Sequence, residues 1–133
     1  MRIYIATQKQ ENARPVRDAI VAAGHVCTAS WIDLSGYASI PGTDAQRSEA
    51  ALTCEREVRG AEVLILVSEP DGERVRGGKH VETGMAIALG KPVIVIGTRE
   101  NVFHWHAAVR VVPDAAGAIA LLQEAAGGAS VRR

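Results

Sequence analysis

The sequence predicts an α/β domain: three layers, with helices on both faces of a five-stranded parallel sheet. Short apolar runs at residues 3–6, 25–29, 62–67, 92–96 and 109–112 alternate with segments of helical spacing. The runs at 62–67 and 92–96 are almost continuously apolar, as strands buried on both faces are. The chain has 133 residues, enough for one domain over 1–133 with a core of its own. Right-handed β-α-β crossovers then place helices on both faces of the sheet.

Taken in order, residues 3–6 form a first strand. A helix over 12–23 follows, with Asn12 as its cap, Pro15 tolerated in the first turn, and Val16, Ile20 and Ala23 at helical spacing. Gly24 stops it and 25–29 is the second strand. Residues 30–43 read as a long loop carrying Trp31 and Tyr37. Asp44 caps a helix over 44–59 that Gly60 ends, and 62–67 is the third strand. A charged glycine loop over 68–78 leads into a helix over 79–89 with Gly90 as its stop. Strand four is 92–96, the segment 98–106 is irregular or one helical turn, strand five is 109–112, and the last helix is 114–126. The tail 127–133 is expected to fray.

Composition excludes several classes. Apolar residues at 47% and charged residues at 23% fit a folded globular chain rather than a disordered one. Fifteen basic and fifteen acidic residues cancel, which argues against duplex nucleic acid or a polybasic membrane contact as partner. No apolar run reaches the roughly 18 residues of a membrane span. The opening residues read as a strand rather than a signal peptide, and the two cysteines, Cys27 and Cys54, are too few for a disulfide scaffold. A reducing cytoplasm is the expected compartment.

Ligands of parallel sheets sit beyond the carboxyl ends of the strands, so the chemistry belongs in the loops at 7–11, 30–43, 68–78 and 97–106. The segment Gly77-Gly78-Lys79-His80-Val81-Glu82 is the densest. Glu82 is placed in the first helical turn, where unpaired N–H groups favour an ionised carboxylate by roughly 0.3–1 kcal/mol. It is either a nucleophile or a residue decorating a helix start. Gly77 and Gly78 before a helix suit an anion, but neither Gly-x-Gly-x-x-Gly nor the Walker lysine pattern is present. Arg74, Arg76 and Lys79 either bind a phosphate or form a solvated charged loop. Trp31, Phe103 and Trp105 fall in loops, where they stack a base, form a lid or serve an interface. His104 and His106 lack a partner at ligand spacing, so no metal is expected. Cys27 and Cys54 read as core, and no Gly-x-Ser-x-Gly elbow occurs.

The chain resembles the nucleoside 2-deoxyribosyltransferase family and the related small deoxynucleotide N-glycosidases. The resemblance rests on Ile3-Tyr4-Ile5-Ala6, Gly24-His25-Val26, Ala61-Glu62-Val63-Leu64-Ile65-Leu66 and the run from Gly77 through Glu82-Thr83-Gly84 to Gly90-Lys91-Pro92-Val93. It implies a flavodoxin-like sandwich, no cofactor, and cleavage or transfer at the N-glycosidic bond of a 2′-deoxynucleoside or its 5′-monophosphate. It implies further that Glu82 is the nucleophile, that Tyr4 positions it, and that Asp71 takes part in base recognition or protonation. Asn101 is the match for a segment that reaches a neighbouring subunit's sugar. A homodimer or larger assembly is therefore expected, with 97–106 completing a neighbour's site. The family often has an aspartate seven residues before strand three opens. Here Cys54 stands there, and Glu55 or Asp44 is the candidate substitute for contact with the substrate. The alternatives are a non-catalytic nucleotide-sensing module on the same fold, or an N-glycosidase of another nucleotide.

Overall fold

A computed structural model describes residues 1–35, 42–70 and 76–127. The expected architecture is present. The strands are β1 (Arg2–Ala6), β2 (Val26–Cys27), β3 (Val63–Val67), β4 (Val93–Ile96) and β5 (Val109–Val112). The helices are α1 (Gln10–Ala22), α2 (Asp44–Gly60), α3 (Gly78–Ala88) and α4 (Ala115–Ala126), with 3₁₀ turns at Ser30–Asp33 and Val102–Trp105. The sheet is parallel throughout, in the order β2-β1-β3-β4-β5. Helices α1 and α4 pack together on one face, and α2 and α3 on the other.

The central strands carry Ile, Val and Leu because both faces are covered. Ile3, Ile5, Leu64, Ile65, Leu66 and Ile94 are all fully buried. Burying each such side chain contributes roughly 1.5–3 kcal/mol. The register aligns Tyr4 with Leu64 and Leu64 with Val93. Tyr4 therefore projects from the middle of a buried row, and it is 0% exposed. The chain winds outward from β1 to β2, then crosses back to β3. The order reverses between β1 and β3, and sheets of this kind hold their ligand crevice at such a switch point, beyond the carboxyl ends of the strands.

Three helix starts differ from the sequence expectation. Helix α1 begins at Gln10, with Lys9 at its cap and no side-chain bond there. Asn12 lies inside the first turn, and its side-chain amide is drawn away to Glu69 (2.5 Å). Pro15 consequently falls in the second turn, on the exposed side, where its missing N–H leaves one helical bond unmade. Helix α2 is capped by Thr43 rather than Asp44. The Thr43 hydroxyl accepts from the Gln46 N–H, and the Gln46 side chain accepts from the Thr43 N–H, a complete capping box. Helix α3 starts at Gly78, after Gly77 at φ 93°, a left-handed conformation that a side chain disfavours.

Candidate active site

The start of α3 decides where Glu82 sits. With Gly78 as its first residue, no acidic side chain lies in the first turn, and Glu82 falls in the second. It is therefore not a decoration of the helix end. It faces inward, over β1 and against α2. The Tyr4 hydroxyl donates a hydrogen bond to Glu82 Oε2. The Cys54 thiol, from α2, lies near both and enters the electrostatics of each. A strand tyrosine, a helix cysteine and a helix glutamate thus converge beside the crevice.

The electrostatics follow from this burial. Desolvation pushes the Glu82 carboxyl up to about 7 from 4.5, against the pull of the Tyr4 hydrogen bond and the neighbouring Cys54 thiol, with the nearby Glu57 charge adding to the rise. Burial, then the Glu82 charge, holds the Tyr4 hydroxyl far above its usual range. Burial and the Glu82 charge push the Cys54 thiol up as well. Both neighbours therefore stay protonated near neutral pH, and the Tyr4 hydroxyl donates to the carboxylate. A carboxyl balanced near neutrality against a buried hydroxyl donor is suited to attack on carbon or to proton transfer. The sequence reading missed Glu57, although it lies three residues after Cys54 on the same helical face.

A second polar cluster lies beside this one, at the ends of β1, β3 and β4. The Glu69 carboxylate accepts from Thr7 Oγ1 (2.7 Å), the Gln8 N–H (2.7 Å) and Asn12 Nδ2 (2.5 Å). Lys79 Nζ lies 3.6 Å from Glu69 and 2.8 Å from Glu100. The Lys79 and Glu69 side chains are 0% and 2% exposed. Burial would raise the Glu69 carboxyl, but the Thr7 and Gln8 bonds and the Lys79 charge outweigh it and hold it below its usual range. Lys79 is thus neither a phosphate ligand nor part of a solvated loop. It is a buried cation tying the strand-end loops together. Below it, His104 is 1% exposed, and its Nδ1 accepts from the Glu100 N–H (2.9 Å). The ring proton is thereby assigned to Nε2, which has no partner among the described residues.

The other expected site residues are distributed around these clusters. Trp31 is packed in the core, and its indole N–H donates to the Ile5 carbonyl (3.2 Å). Glu55 turns outward to Arg59 (2.8 Å), one turn along α2. Asp44 pairs with Arg47 at the solvent-facing start of that helix (2.8 Å). Neither acid is brought to Glu82. Asn101 caps the 3₁₀ turn at Val102–Trp105 and lies 3.1 Å from His80 Nδ1. Gly77 and Gly78 open α3 at the crevice. Asp71 lies outside the described residues, as do Tyr37 and Arg74. No group of three or more His, Cys, Asp or Glu poised to hold a metal occurs among the described residues. No helix among them is long and apolar enough to cross a membrane.

The exposed apolar side chains Val102, Phe103 and Trp105 line the second 3₁₀ turn, with the Arg99 guanidinium 4.9 Å from the Trp105 ring centre. This turn follows Gly97, which brings β4 against the loop after β3. Gly97 has φ 112°, and a Cβ there would lie 2.0 Å from Ser68 Oγ. Ser68 in turn accepts from the Thr98 N–H (3.1 Å).

No protein-family model matches the chain, and no curated protein matches it. Solved structures do. A 2-deoxyribosyltransferase from Bacillus psychrosaccharolyticus is similar at a TM-score of 0.67 and 16% identity, over 90% of each chain. The Clostridium botulinum CMP N-glycosidase BcmB is similar at 0.59 and 14% identity, over 92% of this chain and 98% of that one. A conserved protein from Enterococcus faecalis is similar at 0.50 and 18% identity, over 91% and 87%. At the level of fold, the resemblance to the nucleoside 2-deoxyribosyltransferases holds across nine-tenths of the chain.

Proposed function

We propose that this chain cleaves or transfers at the N-glycosidic bond of a 2′-deoxynucleoside or its 5′-monophosphate, with Glu82 as the nucleophile. One observation carries the reading: a desolvated carboxyl, bonded to a buried tyrosine hydroxyl, placed beside the crevice of a fold shared with enzymes of nucleoside and nucleotide glycosidic bonds.

The ionised Glu82 attacks the anomeric carbon. A bond forms between its carboxylate oxygen and C1′, while the C1′–N bond breaks and its electron pair leaves with the base. Protonation of the departing base assists, and Asp71 is the residue we assign to it. The transition state has oxocarbenium character, as in retaining glycosyl transfer. An acceptor base or water then attacks C1′ from the opposite face and releases Glu82. Throughout, Tyr4 holds the carboxylate oxygen that does not attack, which fixes the rotamer and keeps the reacting atom aimed. Gly77 and Gly78 border the substrate in this reading, and the 97–106 segment, with Asn101, completes the site of a second copy in a homo-oligomer.

The likeness to a CMP N-glycosidase favours a second reading, in which water is the acceptor and a ribonucleotide is the substrate. The test is incubation with deoxynucleosides, ribonucleosides and their 5′-monophosphates, with and without a free acceptor base, followed by chromatography. New nucleoside formed only with acceptor identifies a transferase. Free base released without acceptor identifies a hydrolase. Glu82→Ala is expected to abolish either product. Turnover by that variant at the wild-type rate would overturn the role given to Glu82.

A further inference from the structure

Glu69 occupies the place where a sheet of this kind receives an anion. In open parallel sheets, the turn after the first strand and the helix start behind it offer N–H groups to the charged end of a ligand. Here that turn is residues 7–9, between β1 and α1. Three donors of this region converge on an internal carboxylate instead. Thr7 Oγ1 (2.7 Å), the Gln8 N–H (2.7 Å) and Asn12 Nδ2 (2.5 Å) all donate to Glu69. The Gln8 side chain is engaged too, its Oε1 accepting from the Arg76 N–H (3.2 Å). Lys9, the cation of the turn, pairs with Glu11 at the surface (3.9 Å). Glu69 follows β3, so its side chain bridges the two strands between which the order reverses. That side chain is 2% exposed, which closes the three donors to any ligand while it stays in place. The charge balance points the same way. Lys79 Nζ lies between Glu69 and Glu100, and the Glu69 N–H donates to Glu100 Oε2 (3.2 Å). Two acidic side chains thus share one ammonium, and the surplus charge of the cluster is negative. A phosphate placed at this turn would meet a carboxylate in the place of donors.

We propose that Glu69 is a specificity residue, whose carboxylate fills the anion position of the switch point and makes the substrate an uncharged nucleoside rather than its 5′-monophosphate. The proposal rests on reading the chain as acting at the N-glycosidic bond with Glu82 as the reacting group, and it narrows the two substrates of that reading to one. Its physical content is repulsion of the competitor. A substrate is selected as much by the charge that its rival would meet unpaired as by the contacts it makes itself. The bonds from Thr7, Gln8 and Asn12 hold that repelling charge at a fixed place, and Lys79 offsets only part of it.

The experiment measures kcat/KM for nucleosides and for their 5′-monophosphates, in the deoxyribose and ribose series, with the base the same within each pair. The proteins are wild type, Glu69→Gln and Glu69→Ala. Wild type is expected to prefer the nucleoside by about tenfold to hundredfold, the scale of one like-charge contact. Glu69→Gln removes the charge and should move the ratio toward the monophosphate by about tenfold. Glu69→Ala also uncovers the three donors and should move it at least as far. A merely structural Glu69 would lower kcat/KM equally for both members of a pair and leave the ratio in place, and that result overturns the proposal. A wild type that prefers the monophosphate overturns it as well, and this measurement stands even where the variants do not fold. The two readings fail separately. No turnover on any pair, or turnover by Glu82→Ala at the wild-type rate, removes both. Turnover that needs Glu82 but favours the monophosphate removes only the role of Glu69.

Discussion

Replacing Glu82 by glutamine should stabilise the fold at alkaline pH and not at acid pH. In the native state the carboxyl titrates at about 7, against 4.5 for an ordinary glutamate. Between these values the folded chain binds a proton that the unfolded chain has lost, so stability falls as pH rises through the window. At about 1.36 kcal/mol per pH unit, the displacement corresponds to about 3 kcal/mol of destabilisation once Glu82 is fully ionised. Glutamine removes this charge and keeps a carbonyl to accept from Tyr4. Its amide group lacks an evident acceptor, which costs about 1 kcal/mol. The net gain at pH 8 is therefore about 1–3 kcal/mol, or a Tm higher by about 3–10 °C in a domain of this size. At pH 4 the wild-type carboxyl is already neutral and no gain remains. The assay is thermal unfolding of both proteins across pH 4–9. A Tm difference that is flat with pH, or a wild type that gains stability on the variant as pH rises, would refute the reasoning.

Three further outcomes are expected. Tyr4→Phe removes a donor bonded to a charged group, so kcat/KM should fall about tenfold to hundredfold at neutral pH, with the acid limb displaced upward; an unmoved limb would show that the hydroxyl does not act on Glu82. Lys79→Met leaves Glu69 and Glu100 without their shared cation and should cost about 3–5 kcal/mol in urea unfolding, part of it recovered by Glu100→Gln in the same chain. Gly97→Ala drives a methyl into Ser68 Oγ at a positive φ and should cost about 1–3 kcal/mol. Ser68→Gly should relieve the clash but not the backbone strain, so a complete rescue would contradict the geometry.

The sheet was legible because its strands are buried on both faces and therefore read as plain apolar runs. Helix ends were less legible, since they depend on which of two neighbouring polar residues wins the cap. Thr43-Asp44-Ala45-Gln46 contains a capping box, yet Asp44 alone is also an acceptable cap, and only the Gln46 bond back to Thr43 decides between them. Asn12 looked like a cap until the distant Glu69 claimed its amide. Helix α3 starts one residue earlier than the sequence suggests, which takes Glu82 out of the first turn, and its packing against β1 and α2, a tertiary fact, makes it a desolvated acid rather than a dipole-stabilised anion. Lys79 belonged to a basic run in sequence, and its burial between acids from two other loops is a tertiary fact with no local signal. Trp31 stood in a loop by composition, but the 3₁₀ turn folds it and Ile32 into the core. Glu57 is within reach of a helical wheel drawn through Cys54 and Val58, but nothing local to it signals that its charge acts on Glu82.

The measurement closest to the central claim is mass spectrometry of the protein quenched during turnover. Substrates from the nucleoside and nucleotide panel are mixed with wild type and Glu82→Ala, and the proteolytic peptides are mapped. The account predicts a glycosyl adduct on the peptide bearing Glu82, absent from the variant, and discharged when an acceptor base or water is allowed to react. Base release with no adduct on that peptide at any quench time, or an adduct that persists in the variant, would contradict it.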